Sequence, residues 1–513
     1  MRLARSTTAI IMGVDAHLVD VEAVIAEGLP ATAITGLGDT AIKEARERMR
    51  AACASTGFAW PQARVTVGLS PAALPKHGST LDLAMALAVL AATGTLDTGT
   101  LAGTVILGEL GLDGRVRRAR GVLPVVLAAA ASGARRVIVP LANAGEAELV
   151  DGIELLPVAS LGHCLRLLGV DCEAGVDTIE ERPAAPPTER IPDLAEVRGQ
   201  HAAKHALEVA AAGGHHLALV GPPGVGKTLL AERLPGILPP LAAEVALEVT
   251  AIRSIFADDV VGLQTVAPFA APHHGATRAA IVGGGKGDAP SIGVISRAHR
   301  GVLFLDEAPE FPPSVLDALR QPLEAGVIEI ARSSFRVRIP ARFQLVVAAN
   351  PCPCGHAFDR NGRCTCTPAE RRKYLSRISG PLLDRIDVRV VVEMPSAVDA
   401  AVGSAAAGDT TAVVAQRVAA ARERQQRRLH ATPWHTNAEV PGHVLRTEWR
   451  LPPASAAVLN DSFQRGEVAS MRGADRTLRL AWTCADLAGR DVPSADDLRL
   501  AMRLRDAGGR WAA

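Results

Sequence analysis

Aromatic residues make up only 3% of this 513-residue chain, with a single tyrosine, which gives little material for stacking successive bases on rings. Charge of one sign is not in excess either. The 55 Lys and Arg face 54 Asp and Glu, for a formal net charge of +1. Any nucleic-acid contact must therefore come from local basic surfaces and not from a global field. Long apolar runs are also missing: none approaches the roughly 18 residues of a membrane span. The first apolar stretch, in MRLARSTTAIIMGVDAHLVD, is broken by Asp15 and His17 before it reaches signal-peptide length. The expected compartment is the cytoplasm. There are eight cysteines, and four of them (Cys53, Cys164, Cys172, Cys484) stand singly among apolar residues. In a reducing compartment these are expected to be buried small hydrophobes.

What is present is enough for a core. Hydrophobic residues are 48% of the chain, and its length exceeds what one core supports, so about three domains are expected. The sharpest composition break is DTIEERPAAPPTERIPDL at 177–194, where Pro, Glu and Arg replace apolar periodicity. Before it, strand-like runs (RVTVGL, TVILGEL, RRVIVP) alternate with helical ones (TAIKEARERMRAACASTG, LDLAMALAVLAATG, VLPVVLAAAASG). After it the alternation resumes, and beyond about residue 395 the chain turns mostly helical. The expected fold class is α/β, divided into an α+β domain (1–174), a linker (175–194), an α/β core (195–395) and a helical C-terminal domain (396–513).

The segment HHLALVGPPGVGKTLLAERL sets a strand, a Gly-rich turn and a helix in the order that the G-x-x-x-x-G-K-[ST] pattern requires. Its loop comprises Gly221, Pro222, Pro223, Gly224, Val225, Gly226, Lys227 and Thr228. The glycines let successive N–H groups face a phosphate chain, Lys227 is placed to reach the β- and γ-phosphates, and Thr228 offers a hydroxyl to Mg²⁺. Such a loop needs an acidic partner. GVLFLDEAPEF supplies Asp306, a second Mg²⁺ ligand, and Glu307, the group that polarises the attacking water. A further apolar strand, FQLVVAAN, ends in Asn350, a polar tip suited to orienting the same water.

Directly after Asn350, residues 351–366 read PCPCGHAFDRNGRCTC and hold the other four cysteines. The pairs Cys352/Cys354 and Cys364/Cys366 can fold back around a turn to offer four thiolates to Zn²⁺. Disulfides are the alternative in an oxidising compartment, and an unliganded loop is a third.

GPPGVGKT, FLDE, AANPCPCG and SRISGPLLDRID together resemble the magnesium-chelatase-like branch of the AAA+ ATPases. GVDAHLVDVEAVIAEGLPATAITGLGDTAIKEARERMRAA, LSPAALPKHGSTLDLAMALAVLAA and RGQHAAKHALEVAAAGGHH extend the likeness over nearly the whole chain, to the competence-M (ComM, or YifB) family. The resemblance implies an AAA+ P-loop core, an N-terminal domain of the Lon-protease or ribosomal-S5 type and a helical lid. It implies ATP and Mg²⁺ as cofactors and a homo-hexamer driving branch migration of DNA in recombination or natural transformation. It makes Arg385 in LLDRID the finger reaching a neighbour's γ-phosphate, with Arg377 as second candidate. Arg472 in SMRGADRTLRLAWTCADL becomes the sensor that closes the lid on ATP, with Arg476 as fallback. A finger supplied by a neighbour implies an oligomer.

LDGRVRRARGVLPVVLAAAASGARRVIVP resembles the end of a Lon protease domain, yet Leu123 stands at that family's lysine position and Thr80 beside Ser79 at its nucleophile. Without an amine to activate the hydroxyl, proteolysis is not expected. DNA contacts are expected from two insertions. VIEIARSSFRVRIPARF is a hairpin carrying Arg332, Arg336, Arg338 and Arg342, and HHGATRAAIVGGGKGDAPSIG has a mobile loop, 283–287, with Lys286 at its tip. The run Arg417, Arg422, Arg424, Arg427, Arg428 is expected to be a solvated helix face. Two other readings stand beside the DNA motor: a chelatase-type ATPase that remodels a partner protein, and an inactive scaffold.

Overall fold

A computed structural model describes residues 2–36, 40–172, 191–257, 260–286, 289–332, 335–358, 362–394, 409–468 and 470–506. Most of the expected linker and the expected boundary near 395 lie outside these residues. Alternating burial along the first residues makes a long hairpin, β1 (Arg2–Met12) and β2 (Asp15–Ala26), which pairs from Arg2 opposite Ile25 to Met12 opposite Asp15. Then come β3 (Ala31–Thr35), β4 (Arg64–Ser70) and β5 (Thr104–Ile106), a two-residue pair β6 (Glu109–Leu110) and β7 (Val116–Arg117), β8 (Arg136–Pro140) and β9 (Glu154–Val158). Seven of these form one mixed sheet in the order β3-β4-β2-β1-β5-β8-β9. The three expected helices are there, at Thr40–Ser55, Asp82–Thr93 and Val122–Ala131. Residues 82–92 are buried on every side, as a helix apolar all round must be.

The second unit begins with β10 (Leu217–Val220) and β11 (Phe269–Ala270), followed by a small hairpin, β12 (Gly283–Lys286) and β13 (Ala289–Ile292). Next are β14 (Val302–Leu305), a second hairpin of β15 (Val327–Ala331) and β16 (Arg336–Pro340), β17 (Gln344–Ala349) and β18 (Val388–Val391). Five of them make a parallel sheet in the order β11-β14-β17-β10-β18. Its inner strands are buried throughout, which is why they read as unbroken apolar runs. Because all five run the same way, everything that follows a strand gathers at one edge and everything that precedes a strand gathers at the other. That single fact sorts the functional residues.

Three expectations change. The glycine-rich segment 283–286 is a paired strand and not a mobile loop, in register from Gly283 opposite Ile292 to Lys286 opposite Ala289. Glycine carries no strand propensity, so the pairing partner alone reveals it. Gly287 lies outside the described residues. The arginine run on the helix Thr411–Leu429 is in large part packed: Arg417 meets Glu208, the Arg422 guanidinium donates to the Ala211 carbonyl at 2.7 Å, and Arg428 is bidentate on Asp486 at 2.6 and 2.8 Å. Arg428 also lies over the rings of Trp449 and Trp482. Of the four single cysteines, Cys53, Cys164 and Cys484 are buried, with thiols pushed up to about 12 by burial, while Cys172 is only half-buried.

Helices Thr411–Leu429, Pro453–Gln464, Met471–Leu487 and Ala495–Asp506 form the C-terminal helical part, and Met471–Leu487 meets the edge of the parallel sheet from which the strands start. The join is a buried polar network. His215, two residues before β10, bonds Asp387 at 2.9 Å through Nδ1 and Thr483 at 2.8 Å through Nε2. Asn437 donates to Thr483 and Asp486, tying in Arg428. The first unit also touches the second: Gly13, in the β1–β2 turn, sits against Val337 and Ile339 of β16, and the Gly121 N–H donates to the Ser254 carbonyl at 2.9 Å. Among the described residues no helix is long and apolar enough to cross a membrane.

Candidate functional site

The loop 221–228 leaves β10 and runs into the helix Lys227–Glu232. Gly224 and Gly226 have φ of +77° and +92°, which a side chain opposes. Lys227 is largely buried, and its ammonium donates to the carbonyls of Gly221 and Pro222 at 2.7 and 2.8 Å and to Asn350 Oδ1 at 3.1 Å. Burial lowers its pKa, with Asp306 and Glu307 pulling the other way. Thr228 Oγ1 donates to Asp306 Oδ2 at 2.8 Å. Thus Lys227, Thr228, Asp306 and Asn350, from three adjacent strands, converge at the carboxyl edge. The hydroxyl and carboxylate side by side are the all-oxygen donor set that Mg²⁺ takes.

Glu307 follows Asp306 with a left-handed backbone, φ +50°, and its N–H donates to Asp306 Oδ1 at 2.9 Å. A non-glycine residue there is strained and marks a position the surroundings hold in place. Its carboxylate is met by His274 Nδ1 at 3.3 Å. The His274 ring lies 4.1 Å from that of His273 and edge-on to Phe311. Sequence reasoning passed over His274. Its only signal was the His273–His274 doublet shortly after a strand. Gln200 was missed as well. It has a left-handed φ of +56°, and its amide donates to Val225 and Glu393 carbonyls beside the loop.

Beyond Asn350 the chain enters the cysteine segment. Sγ separations are 3.3 Å for Cys352–Cys354, 3.5 Å for Cys354–Cys364 and 3.7 Å for Cys352–Cys364, and all four sulfurs lie within 4.8 Å of one another. These distances are too long for disulfides, at about 2.05 Å. They approach the roughly 3.8 Å edge of a tetrahedron with 2.3 Å Zn–S bonds, so the four thiols fit a thiophilic divalent ion. Burial raises the Cys352 thiol, whereas the His356 N–H holds that of Cys354 low.

The candidate arginines divide between the two edges. Arg377 pairs with Glu310 at 3.1 Å, near Glu307 and on the loop's side of the sheet. Arg385 precedes β18 and lies at the opposite edge, ion-paired with Glu324 and with Arg320, Arg472 and Arg476 close enough to lower its pKa after burial has done so. Arg476 reaches Asp384 at 3.5 Å, and Arg472 is exposed. Within one subunit, then, Arg385, Arg472 and Arg476 cluster together across the sheet from Lys227.

The two insertions adjoin. Gly283 of β12 backs onto Ile330 of β15. The second hairpin buries Ile328, Val337 and Ile339 and exposes Arg332, Arg336 and Arg338. Arg336 and Arg338 share Glu329, at 3.1 and 3.4 Å, so that face is less positive than its arginines suggest. Arg342 lies outside the paired strands, after β16. In the first unit, Leu123 is buried, the Ser79 hydroxyl donates to Glu109, and Lys76, fully buried, donates to the Pro71 carbonyl. The serine and the nearby amine have different partners.

Three family models match the chain: subunit ChlI of Mg-chelatase over residues 21–143, magnesium chelatase subunit ChlI over 193–400, and the ChlI C-terminal region over 408–505. An uncharacterized protein of Mycobacterium tuberculosis is 49% identical over 99% of this chain and 100% of its own length. YifB of Escherichia coli is 39% identical over 98% of the chain and 97% of its own length. The competence protein ComM of Haemophilus influenzae is 38% identical over 93% and 92%.

Proposed function

Since the chain belongs to the ComM/YifB family of magnesium-chelatase-like AAA+ ATPases, we propose that it is a ring-forming motor that uses ATP hydrolysis to move branched or single-stranded DNA. Bound MgATP supplies the γ-phosphoryl group that is hydrolysed. In this reading Lys227 and the loop N–H groups hold its phosphates, and Thr228 and Asp306 hold the ion. Glu307 accepts a proton from the attacking water, and Asn350 orients that water. Arg385 neutralises charge in a neighbour's site. Arg472, in the same cluster, serves that neighbour too and not its own subunit. The observation that favours a ring is the sheet itself, which separates Arg385 from its own subunit's loop. Six copies follow from the family resemblance.

The DNA part of the proposal draws on the adjoining hairpins, with Lys286, Arg332 and Arg336 as phosphate contacts, and on the similarity to a competence protein. Zn²⁺ in Cys352, Cys354, Cys364 and Cys366 belongs to the same proposal. The test is ATP turnover with and without a four-way DNA junction or single-stranded DNA. The expected outcome is stimulation of several-fold that falls as salt rises and shrinks in Arg332→Ala and Arg336→Ala. Turnover indifferent to DNA refutes the DNA reading and favours a motor acting on a partner protein.

A further inference from the structure

We propose that the cysteine knuckle, closed around a thiophilic divalent cation, is the rear support of the nucleotide loop, so that ATP affinity is set by metal occupancy. This rests on reading 221–228 as the ATP site and the four cysteines as metal ligands. Two contacts carry it. Asn350, two residues before the first cysteine, accepts the Lys227 ammonium at 3.1 Å, which fixes one end of the loop. Gly355, directly after Cys354, lies against Pro223 in the loop's middle. A Cβ at Gly355 would stand 2.6 Å from Pro223 Cδ and 3.1 Å from Cγ, and its φ of +81° excludes most side chains as well. The knuckle closes behind this contact: Cys352 is fully buried, and its carbonyl accepts the Gly355 N–H at 3.0 Å.

The loop's other supports lie on either side of Pro223: Gly221 rests on the Val392 carbonyl and the Gln200 amide donates to the Val225 carbonyl, whereas a Cβ at Gly224 would meet nothing within 4 Å. Phosphate binding depends on N–H groups held ready in one direction, so a wall that fixes Pro223 raises affinity by preorganisation. That wall is only as firm as the knuckle. Four thiols hold one another through weak S–H contacts, and a tetrahedral cation replaces these with bonds of about 2.3 Å. Losing the ion frees Gly355 and Pro223 together.

The experiment uses the full-length chain as purified without chelator, as stripped by an organomercurial and chelator, and after zinc is returned. Zinc content, the Kd for ATPγS by calorimetry and hydrogen exchange across residues 221–228 are measured on each. Stripping is expected to raise Kd at least tenfold and speed exchange in the loop, and zinc is expected to restore both. Gly355→Ala keeps all four thiols. It is expected to hold wild-type zinc yet bind ATPγS at least fivefold more weakly, which separates the coupling from any unfolding caused by metal loss. Equal Kd in stripped and loaded protein, or a Gly355→Ala variant that binds like wild type, overturns the proposal. So does a wild-type protein that carries no zinc. Zinc-loaded protein that binds no nucleotide at all sinks the ATP-site reading instead, and the coupling with it.

Discussion

His215→Ala removes a buried side chain that bonds both the core and the lid. His215 is fully buried, and its two ring nitrogens hold Asp387 at 2.9 Å and Thr483 at 2.8 Å. Thr483 keeps Asn437 and its own helix as partners, so the loss falls on Asp387. Burial works to raise that carboxyl, but His215 and nearby charges bring it from an ordinary 3.8 down to about 2, worth roughly 2 kcal/mol at neutral pH. A depressed carboxyl contributes stability above its unfolded value and loses it as pH falls from about 4 through about 2. Stranding the charge costs more than that, roughly 3–5 kcal/mol, because a buried ion keeps its desolvation cost without a partner. Lid amides near Thr483 should then exchange about a hundredfold faster or more, at about 1.4 kcal/mol per tenfold. Adding Asp387→Asn removes the stranded charge and should recover part of the loss, so the two changes are not additive. Unchanged lid protection in His215→Ala, or a double variant costing the sum of the two single changes, would show that His215 does not couple Asp387 to the lid.

Glu307→Gln should bind ATPγS like wild type and hydrolyse ATP about a hundredfold more slowly or worse, whereas Lys227→Ala should lose nucleotide affinity itself; calorimetry beside a phosphate-release assay tells them apart. His274→Ala, which frees the Glu307 carboxylate, should lower kcat roughly tenfold with Kd for ATPγS within about twofold, and His274→Asn should retain part of the rate. Metal analysis should find about one Zn²⁺ per chain, released in Cys352→Ser or Cys364→Ser.

The parts of the site that could be read in the sequence are those whose chemistry is local. The phosphate loop is eight consecutive residues between a strand and a helix, Asp306 and Glu307 end an apolar strand, and the four clustered cysteines fall within residues 351–366. Partnerships across the chain left no such trace. His274 and Glu307 are brought together by adjacent strands, and His215 meets Thr483 across 268 residues. The arginine run shows why helix periodicity is not enough: Arg428 is held by Asp486 and two tryptophans that lie well beyond its own helix. The hairpin of β1 and β2 is hard to read because the apolar run at 9–12 interrupts the alternation of its first strand. The Gly283–Lys286 strand is specified by its partner and not by its own residues.

A hydrolytic site shared between subunits is best tested by mixing two inactive variants. Arg385→Ala is expected to bind ATP and assemble yet hydrolyse almost none, since only the transition state's spreading charge needs the guanidinium. Lys227→Ala is expected to be inactive for want of bound nucleotide. Combined, they form some interfaces that pair an intact loop with an intact Arg385, and turnover should return in part, greatest near equal proportions. A flat, inactive response across all mixing ratios, or an Arg385→Ala protein that turns over ATP normally as a monomer, would rule out a site shared between subunits.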